Sequence, residues 1–365
     1  MIKENIESTS YINSIKPERI QTAKSAYTTR LVDKTTIATL LTGDWTPSPG
    51  DLVLARVERI GHHKRIELAH GRRAHLFIGD EIIVSYGHRY APDQFESEVP
   101  NDLSPCHLVA GGGIASNCLA RHSKTRVPTR IQPIGLLGDA NGKPINMADW
   151  TIPNFNLKRP RPFVITVVGT SMNAGKTTTA ARLIKGLSQS GMKVGAAKLT
   201  GTGAGCDRWL MIDSGAQEVV DFTDAGFAST YLATLPELEK IQAHLMGHLH
   251  SKGAEVIVLE VADGLFQQET AMLLESPKFK SNVDAIIFAA GDAMGAHGGA
   301  EWLRHKNLPI VAIAGCVTSS PLAAREAQKV SKLPVLNLEE LSSPEIAVQM
   351  FELCDDLIKQ ASKVS

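Results

Sequence analysis

The chain lacks a net charge, a disulfide framework and a long apolar run. Its 365 residues contain 38 basic and 38 acidic side chains, which excludes attraction of partners through bulk charge but allows a local basic patch. Five scattered cysteines without a Cys-x-x-Cys pair predict reduced thiols, not disulfides or a zinc site. The longest apolar run, Ala285 to Ala290, is far too short to span a bilayer. The polar first residues show no secretory signal, so we expect a cytoplasmic protein.

The length favours about two domains, and the character of the sequence changes along the chain. Residues 1–30 are polar and without clear periodicity, so we expect a loosely ordered arm, either with or without a short helix. Residues 31–104 contain short β-like runs separated by turn residues, which predict a small barrel-like domain. Residues 105–162 are expected to be a connecting α+β segment, with a helix at 114–122 and a proline-rich linker at its end.

Residues 163–365 alternate apolar strands with helices, which indicates a parallel sheet covered on both faces. The predicted fold class is therefore α/β, with a mostly parallel sheet preceded by a smaller β-rich, barrel-like domain. Ligands of such sheets bind beyond the carboxyl ends of the strands. We predict strands at 163–168, 193–199, 255–261, 284–290, 309–314 and 333–337, and helices at 176–190, 235–252, 299–307, 319–331 and 343–362.

The first of these strands runs into a glycine loop that is typical of phosphate binding. The segment reads Gly-Thr-Ser-Met-Asn-Ala-Gly-Lys-Thr-Thr over 169–178, and its glycines let backbone N–H groups point at an anion. Lys176 then reaches the outer phosphates, and the Thr177 hydroxyl binds Mg²⁺. The sequence therefore predicts a P-loop domain. The residues predicted to bind the nucleotide are Gly169, Thr170, Ser171, Asn173, Ala174, Gly175, Lys176, Thr177 and Thr178.

The loop has five residues between its two glycines, Thr170 to Ala174, where the common P-loop has four. This longer form, Gly-Thr-x-x-x-x-Gly-Lys-Thr, resembles dethiobiotin synthetases and the amidoligases that act on cobyrinic acid, within the MinD-like group. It also resembles a family whose described activity is N-acetylation of D-glutamate. In the dethiobiotin synthetases, a lysine placed like Lys198 faces the phosphates and the substrate. Glu260 resembles the glutamate that holds Mg²⁺ in both relatives, although Val261 stands where they carry glycine.

Residues at the ends of neighbouring strands are further candidates. Glu260 ends a buried strand, where it either binds Mg²⁺, caps a helix or pairs with an arginine. Asp263 precedes a glycine and is either functional or a turn residue, and Asp221 is a second metal ligand or a base. Lys198 favours a phosphate or substrate carboxylate over solvent. The segment 200–205 forms a second anion nest or a mobile loop.

Other clusters have weaker functional signals. His244 and His248 share a helical face without a metalloprotease pattern, so we expect surface histidines and no zinc. The segment 291–299 either covers the ligand, through Asp292 or His297, or is a flexible crossover. A basic cluster in the barrel-like part has few aromatic neighbours, which favours a solvated face, a lid or a contact between copies over nucleic-acid binding. The basic cluster consists of Arg56, Arg59, Lys64, Arg65, Arg72 and Arg73.

The sequence thus predicts an enzyme that binds ATP and Mg²⁺ and activates a small carboxylate- or amine-bearing metabolite by phosphoryl transfer, as in the dethiobiotin synthetase-like ligases. The alternatives are an acetyl-CoA-dependent N-acyltransferase acting on an amino acid, and a P-loop nucleotide switch. The expected partner is a small-molecule substrate, with no membrane and no nucleic acid, and the chain is a candidate homo-oligomer. The predicted roles are phosphate stabilisation for Lys176 and Lys198, Mg²⁺ binding for Thr177 and Glu260, and orientation of the acceptor for Asp221 or Asp263.

Overall fold

The computed structural model describes residues 10–361, and the chain separates into two compact units. The first, here called the barrel unit, comprises the chain up to Thr151 together with Thr202–Gly205 and Thr223–Tyr231. The second, here called the P-loop unit, comprises the remaining residues from Ile152 onwards. The first part of the expected arm, 1–9, lies outside the described residues.

The barrel unit is built from short strands. In chain order these are β1 Ser10–Ser14, β2 Lys24–Ser25, β3 Thr39–Gly43, β4 Leu52–Arg59, β5 Arg65–Glu67, β6 Arg73–His75, β7 Glu81–Tyr86, β8 Arg89–Tyr90, β9 Phe95–Glu98, β10 Cys106–Ala110, β11 Ile114–Arg121 and β12 Thr129–Gly138, with helix α1 Pro17–Thr22 and 3₁₀ turns at Tyr27–Thr29, Lys34–Thr36 and Met147–Asp149. Five of the strands pair in a closed ring, β12–β4–β7–β11–β10 and back to β12. The ring gives this unit a barrel, and buried side chains from all five of its strands, among them Val53, Val84 and Leu108, pack in one core cluster.

The helix predicted at 114–122 is wrong, because this segment is strand β11. Gly113 has a φ of 100° and donates its N–H to Ala110 O at 3.1 Å, so the chain reverses and β11 pairs back onto β10. Strand pairing with β7, β9 and β10 outweighs a local helix preference of only a few tenths of a kcal/mol per residue. The predicted connector 105–162 consequently supplies β10, β11 and β12 to the barrel unit.

The described part of the expected arm contains the short helix that was one of the two expectations, α1 Pro17–Thr22, but it also forms strands that were not expected. Strand β1 pairs with β3 from Ser10↔Gly43 to Ser14↔Thr39, and β2 pairs with β7. The polar sequence did not indicate a strand, because β1 pairs through its backbone while its side chains stay exposed to solvent.

The P-loop unit contains one six-stranded parallel sheet in the order β15–β14–β16–β13–β17–β18, and its helices follow the strands along the chain. This confirms the predicted α/β class. The strands are β13 Phe163–Gly169, β14 Val194–Lys198, β15 Glu218–Asp221, β16 Val256–Glu260, β17 Ala285–Ala289 and β18 Ile310–Ala314; the helices are α2 Lys176–Gln189, α3 Cys206–Asp213, α4 Leu235–Ser251, α5 Gln268–Glu275, α6 Pro277–Ser281, α7 Ala293–His305, α8 Pro321–Ser331, α9 Leu338–Ser342 and α10 Ile346–Ala361, with a 3₁₀ turn at Cys316–Ser319.

Several segments of this unit differ from the sequence prediction. Helices α3, α5 and α6 were not predicted, and α7 begins at Ala293 instead of residue 299. The strand predicted at 333–337 is reduced to a single bridge between Ile313 and Val335, because Pro334 has no N–H to donate to a ladder. Strand β15 was not predicted, since only four residues form it. The helix predicted at 343–362 is α10 Ile346–Ala361, and the short helix α9 Leu338–Ser342 before it was not predicted. Between residues 10 and 361, no helix has both the length and the apolar character needed to cross a bilayer.

Candidate functional site: a phosphate loop with a buried carboxylate

The loop between β13 and α2 has the geometry of a phosphate cradle. Gly175 caps α2 with a φ of 98°, and Asn173 also has a positive φ, 66°, so the chain curls between the strand and the helix. The first helical hydrogen bond runs from Thr179 N–H to Gly175 O at 2.9 Å, which leaves the preceding N–H groups of the first turn outside the helical ladder. These groups and the positive end of the helix dipole make the loop suited to an anion.

Glycine is required at both ends of the loop by close packing. A Cβ on Gly169 would lie 2.8 Å from Ala289 O, and one on Gly175 would lie 3.0 Å from the Cα of Gly315. Cys316 follows Gly315 in the turn after β18 and donates its backbone N–H to Ala174 O at 3.0 Å. The loop therefore packs against β17 and the turn after β18.

Lys176 lies inside this cradle. It is only 6% exposed, and its Nζ donates to Ser171 O at 2.7 Å, so the ammonium lies across the loop that precedes it. Burial lowers the pKa of Lys176, while Glu260 and Asp263 oppose that shift. The arrangement places a cation where the outer phosphates of a ligand in the loop would bind.

Thr177 and Glu260 come together as the sequence predicted for a metal pair. The Thr177 hydroxyl donates to Glu260 Oε1 at 2.9 Å, and Glu260 is 1% exposed. The second oxygen, Oε2, has no hydrogen-bond partner among the described residues. Burial raises the pKa of Glu260, although Lys198, the Thr177 hydrogen bond and Lys176 favour the charged form. A hydroxyl and an unpartnered carboxylate oxygen form a donor set that fits Mg²⁺.

Lys198, at the end of β14, connects this pair to a residue that the sequence analysis missed. Its Nζ forms a short ion pair with Asp207 of α3 and lies 3.8 Å from Glu260 Oε1. Burial disfavours the ammonium, but Glu260 and Asp207 together raise the pKa of Lys198 well above its ordinary value. The sequence offered one signal for Asp207, because it is an acidic residue in the first turn of the helix that follows the glycine-rich segment 200–205.

Asp221 and Asp263 lie near the same lysines. Asp221 is 5% exposed and is the register partner of Lys198 across β14 and β15. Asp263 acts electrostatically on both Lys176 and Lys198, and a Cβ on the following Gly264 would lie 2.3 Å from Thr170 O. The structure therefore brings the predicted catalytic residues to one edge of the sheet, while their individual roles stay predictions.

Two glycine-rich segments have hydrogen bonds that hold them within their own units. The segment 291–299 is mostly the start of α7, because Asp292 caps that helix by accepting from Gly295 N–H at 2.7 Å, and His297 Nδ1 lies 3.2 Å from Val330 O. In the segment 200–205, two backbone amides are already occupied inside the barrel unit. Gly203 N–H donates to Ala228 O at 2.9 Å and Gly205 N–H to Glu67 Oε2 at 2.9 Å.

The histidines of α4 are buried, which corrects the expectation of surface side chains. His244 is 4% exposed and donates from Nε2 to Ile152 O at 2.8 Å, and His248 Nδ1 lies 3.4 Å from Pro153 O. Between them, Gly247 leaves room for the linker, because a Cβ there would lie 1.8 Å from Phe155 O. The helix thus binds an extended segment of chain. Across residues 10–361 no group of three or more His, Cys, Asp or Glu side chains is arranged for a metal ion.

No protein-family model and no curated protein matches the chain. Among solved structures, it is similar to the signal recognition particle 54 kDa protein of Aeropyrum pernix K1 in complex with GDP, at 22% identity, covering 57% of this chain and 51% of that one, with a TM-score of 0.37. It is also similar to the signal recognition particle receptor FtsY of Elizabethkingia anophelis in complex with GDP, at 19% identity over 49% and 57% of the two chains and a TM-score of 0.34. FtsY of Thermotoga maritima has 16% identity over 52% and 66%, with a TM-score of 0.36.

The matched region spans about half to two thirds of these proteins, and similarity of this extent does not identify a nucleotide, a reaction or a partner. The narrower resemblance to dethiobiotin synthetases stays a prediction. The assignment of the second unit rests on the loop itself. At the carboxyl edge of a parallel sheet, strand β13 runs into a glycine turn, Lys176 is buried, and Thr177 is hydrogen-bonded to Glu260. These features identify the second unit of the chain as an α/β P-loop domain.

Proposed function

We propose that the P-loop unit binds a Mg²⁺–nucleoside triphosphate complex and acts as a nucleotide-dependent switch. The observation that carries this proposal is the Thr177–Glu260 pair, in which Glu260 Oε2 is buried without a partner among the described residues. A buried polar oxygen that lacks a partner costs about 1–3 kcal/mol. Thr177 and Glu260 would hold a Mg²⁺ ion, which would offset that cost, since oxygen ligands are the ones that Mg²⁺ prefers.

The proposed switch depends on the groups to which Lys176 and Lys198 are bonded. Lys176 donates to its own loop at Ser171 O, and Lys198 is paired with Asp207 of α3. A γ-phosphate is a stronger acceptor than a carbonyl oxygen and competes with a carboxylate for an ammonium group. Transfer of Lys198 from Asp207 to that phosphate would release the first turn of α3. A nucleotide that lacks the γ-phosphate would leave the pair in place, so the two nucleotide states would differ in the freedom of α3.

The Lys198–Asp207 pair also favours a second candidate, phosphoryl transfer to a small metabolite with a carboxylate. The Asp207 carboxylate is paired with Lys198, which lies next to Glu260. A substrate carboxylate that ATP activates would bind Lys198 at the same place. Asp221 and Asp263 would then orient the acceptor. The third alternative, an N-acyltransferase, requires the same loop to hold the phosphates of acetyl-CoA.

Calorimetric titration of the full chain with Mg²⁺–ATP, Mg²⁺–GTP and acetyl-CoA tests the ligand. Replacing Lys176 by alanine should weaken nucleotide binding about 10- to 100-fold, the value of one charge-assisted hydrogen bond. Lys185→Ala removes an exposed lysine from the same helix and should leave binding unchanged. Binding of acetyl-CoA without binding of either nucleotide would reject the proposal in favour of acyl transfer.

Hydrogen exchange then separates the switch from the ligase. The switch predicts faster exchange of α3 amides with a non-hydrolysable triphosphate than with the diphosphate. Equal exchange in the two states, together with release of ADP that depends on an added carboxylate or amine, would replace the switch by the ligase.

A further inference from the structure

The barrel unit displays two large apolar side chains to solvent in the turn that follows β6. Phe77 is 66% exposed and Ile78 is 71% exposed. Gly79 comes next, and a Cβ at that position would have no atom within 4 Å, so the turn projects away from the rest of the unit. Adjacent exposed apolar side chains of this size are a common mark of an interaction site.

The turn is held in this conformation by hydrogen bonds. Asp80 accepts from Phe77 N–H at 2.7 Å through its carboxylate and donates its own N–H to Phe77 O at 3.1 Å, while Gly79 N–H donates to Val57 O at 2.8 Å. The Lys24 ammonium lies 5.4 Å from the centre of the Phe77 ring and donates to His75 O at 2.9 Å. The turn is therefore already ordered in the folded protein, which lowers the entropic cost of binding a partner through it.

Exposed cations surround the same turn. Strand β6 alternates, so that Arg73 and His75 are exposed on the face that continues to Phe77, while Ala74 and Leu76 are buried. Arg65 of β5 pairs directly with His75 and is exposed as well.

The exposed charge of this region is mainly positive, although the whole chain is neutral. Residues 59–80 contain five lysines and arginines and two acidic residues. Glu67 is 3% exposed and accepts from Gly205 N–H, and Asp80 is paired with Lys24. Within residues 10–361, no ion pair involves four of the exposed cations. These four are Arg59, Lys64, Arg65 and Arg72.

We infer that the β5–β6 hairpin and the turn 77–80 form a docking surface for an anionic phospholipid bilayer. Phe77 and Ile78 would enter the boundary between headgroups and acyl chains, and the surrounding cations would contact the lipid phosphates and carboxylates. The expectation of no membrane partner rested on the lack of a spanning segment, and surface binding needs none. A lipid surface fits better than nucleic acid, because the site is a projecting turn and not a groove, and Ile78 has no ring for base stacking.

Flotation of the full chain with vesicles tests this surface. Binding to vesicles of phosphatidylcholine and phosphatidylserine should exceed binding to phosphatidylcholine alone about tenfold or more, and it should fall as NaCl rises. The double variant Arg65→Gln/Arg72→Gln should lose about 25-fold in affinity, since each cation contributes about fivefold. Phe77→Ser/Ile78→Ser should also abolish flotation.

The matched control is Ile12→Ser/Leu119→Ser, which removes two other exposed apolar side chains of the barrel unit, 56% and 59% exposed, and should float like the wild type. Thermal unfolding establishes that each variant is folded. Equal binding to both vesicle types, or flotation unchanged in both double variants, would overturn the inference. It would also be overturned if the chain bound single-stranded RNA or itself through these residues while failing to float with anionic vesicles.

Discussion

Glu260→Gln removes one charge from the proposed metal site without changing the volume of the side chain. The structure gives the carboxylate two separate interactions, a hydrogen bond from the Thr177 hydroxyl at 2.9 Å and the charge of Lys198 at 3.8 Å. The amide keeps an oxygen that can accept from Thr177. It loses the negative charge that Mg²⁺ and Lys198 would share.

The expected change in stability is small. Two unit charges separated by 3.8 Å attract by about 4 kcal/mol at an effective dielectric constant of about 20. Desolvating a carboxylate costs several kcal/mol, and Lys198 retains Asp207 in the variant. The two effects nearly cancel, so we expect the free energy of unfolding to change by no more than about 1 kcal/mol at neutral pH.

The pH dependence has a definite sign. Burial raises the pKa of Glu260 above its ordinary value of 4.5, so the folded state binds this proton more tightly than the unfolded state. The stabilisation from that proton is complete below the unfolded pKa and is lost as the pH rises through the folded pKa. Glutamine does not titrate, so the variant should gain stability relative to the wild type over the same rise in pH.

Metal binding should change far more than stability. Losing an anionic ligand should weaken Mg²⁺ binding at least about 10- to 100-fold, while binding of the nucleotide in EDTA should be little affected. Calorimetry with nucleotide and varied Mg²⁺ measures the first effect, and urea unfolding at several pH values measures the second. Glu326→Gln, an exposed glutamate of α8, is the control. An unchanged Mg²⁺ titration would exclude Glu260 as a metal ligand, and a stability loss of several kcal/mol would show that the carboxylate serves Lys198 instead.

Three further predictions concern the surroundings of the loop. Asp207→Asn should tighten binding of the triphosphate about three- to tenfold relative to the diphosphate, because it removes the carboxylate that competes for Lys198; weaker binding in calorimetry would contradict the switch. Cys316 is exposed, and its thiol lies 3.3 Å from Asn173 O of the loop. Mg²⁺–ATP at ten times its Kd should therefore slow alkylation of this thiol about tenfold, measured on the Cys316 peptide by mass spectrometry. An unaltered rate would place the ligand elsewhere. Arg161→Ala should cost about 2 kcal/mol in urea unfolding, because Arg161 is 10% exposed and holds Asp284 through two hydrogen bonds at 2.6 and 2.9 Å; a change below about 0.5 kcal/mol would show a weak surface pair.

The sequence by itself determined those features that depend on residues close together in the chain. An apolar run, two glycines and a Gly-Lys-Thr are enough to specify a strand, a turn and a helix start, so the phosphate loop with Lys176 and Thr177 was predictable. The parallel sheet was predictable for a related reason, since strands buried on both faces must be apolar throughout. Glu260 was placed correctly because the carboxyl ends of parallel strands meet at one edge.

Only the tertiary structure decided which distant residues meet. Closure of the barrel depends on pairing β12 with β4 and β10. Pairing with β7, β9 and β10 makes the segment that was predicted as a helix into strand β11. The partner of Lys198 is Asp207, and the buried state of His244 depends on a linker that lies 92 residues earlier in the chain. A pattern of a few residues indicates the local backbone conformation and which face of a helix or strand is apolar. Packing and ion pairing depend on contacts between residues far apart in the chain, which no short pattern contains.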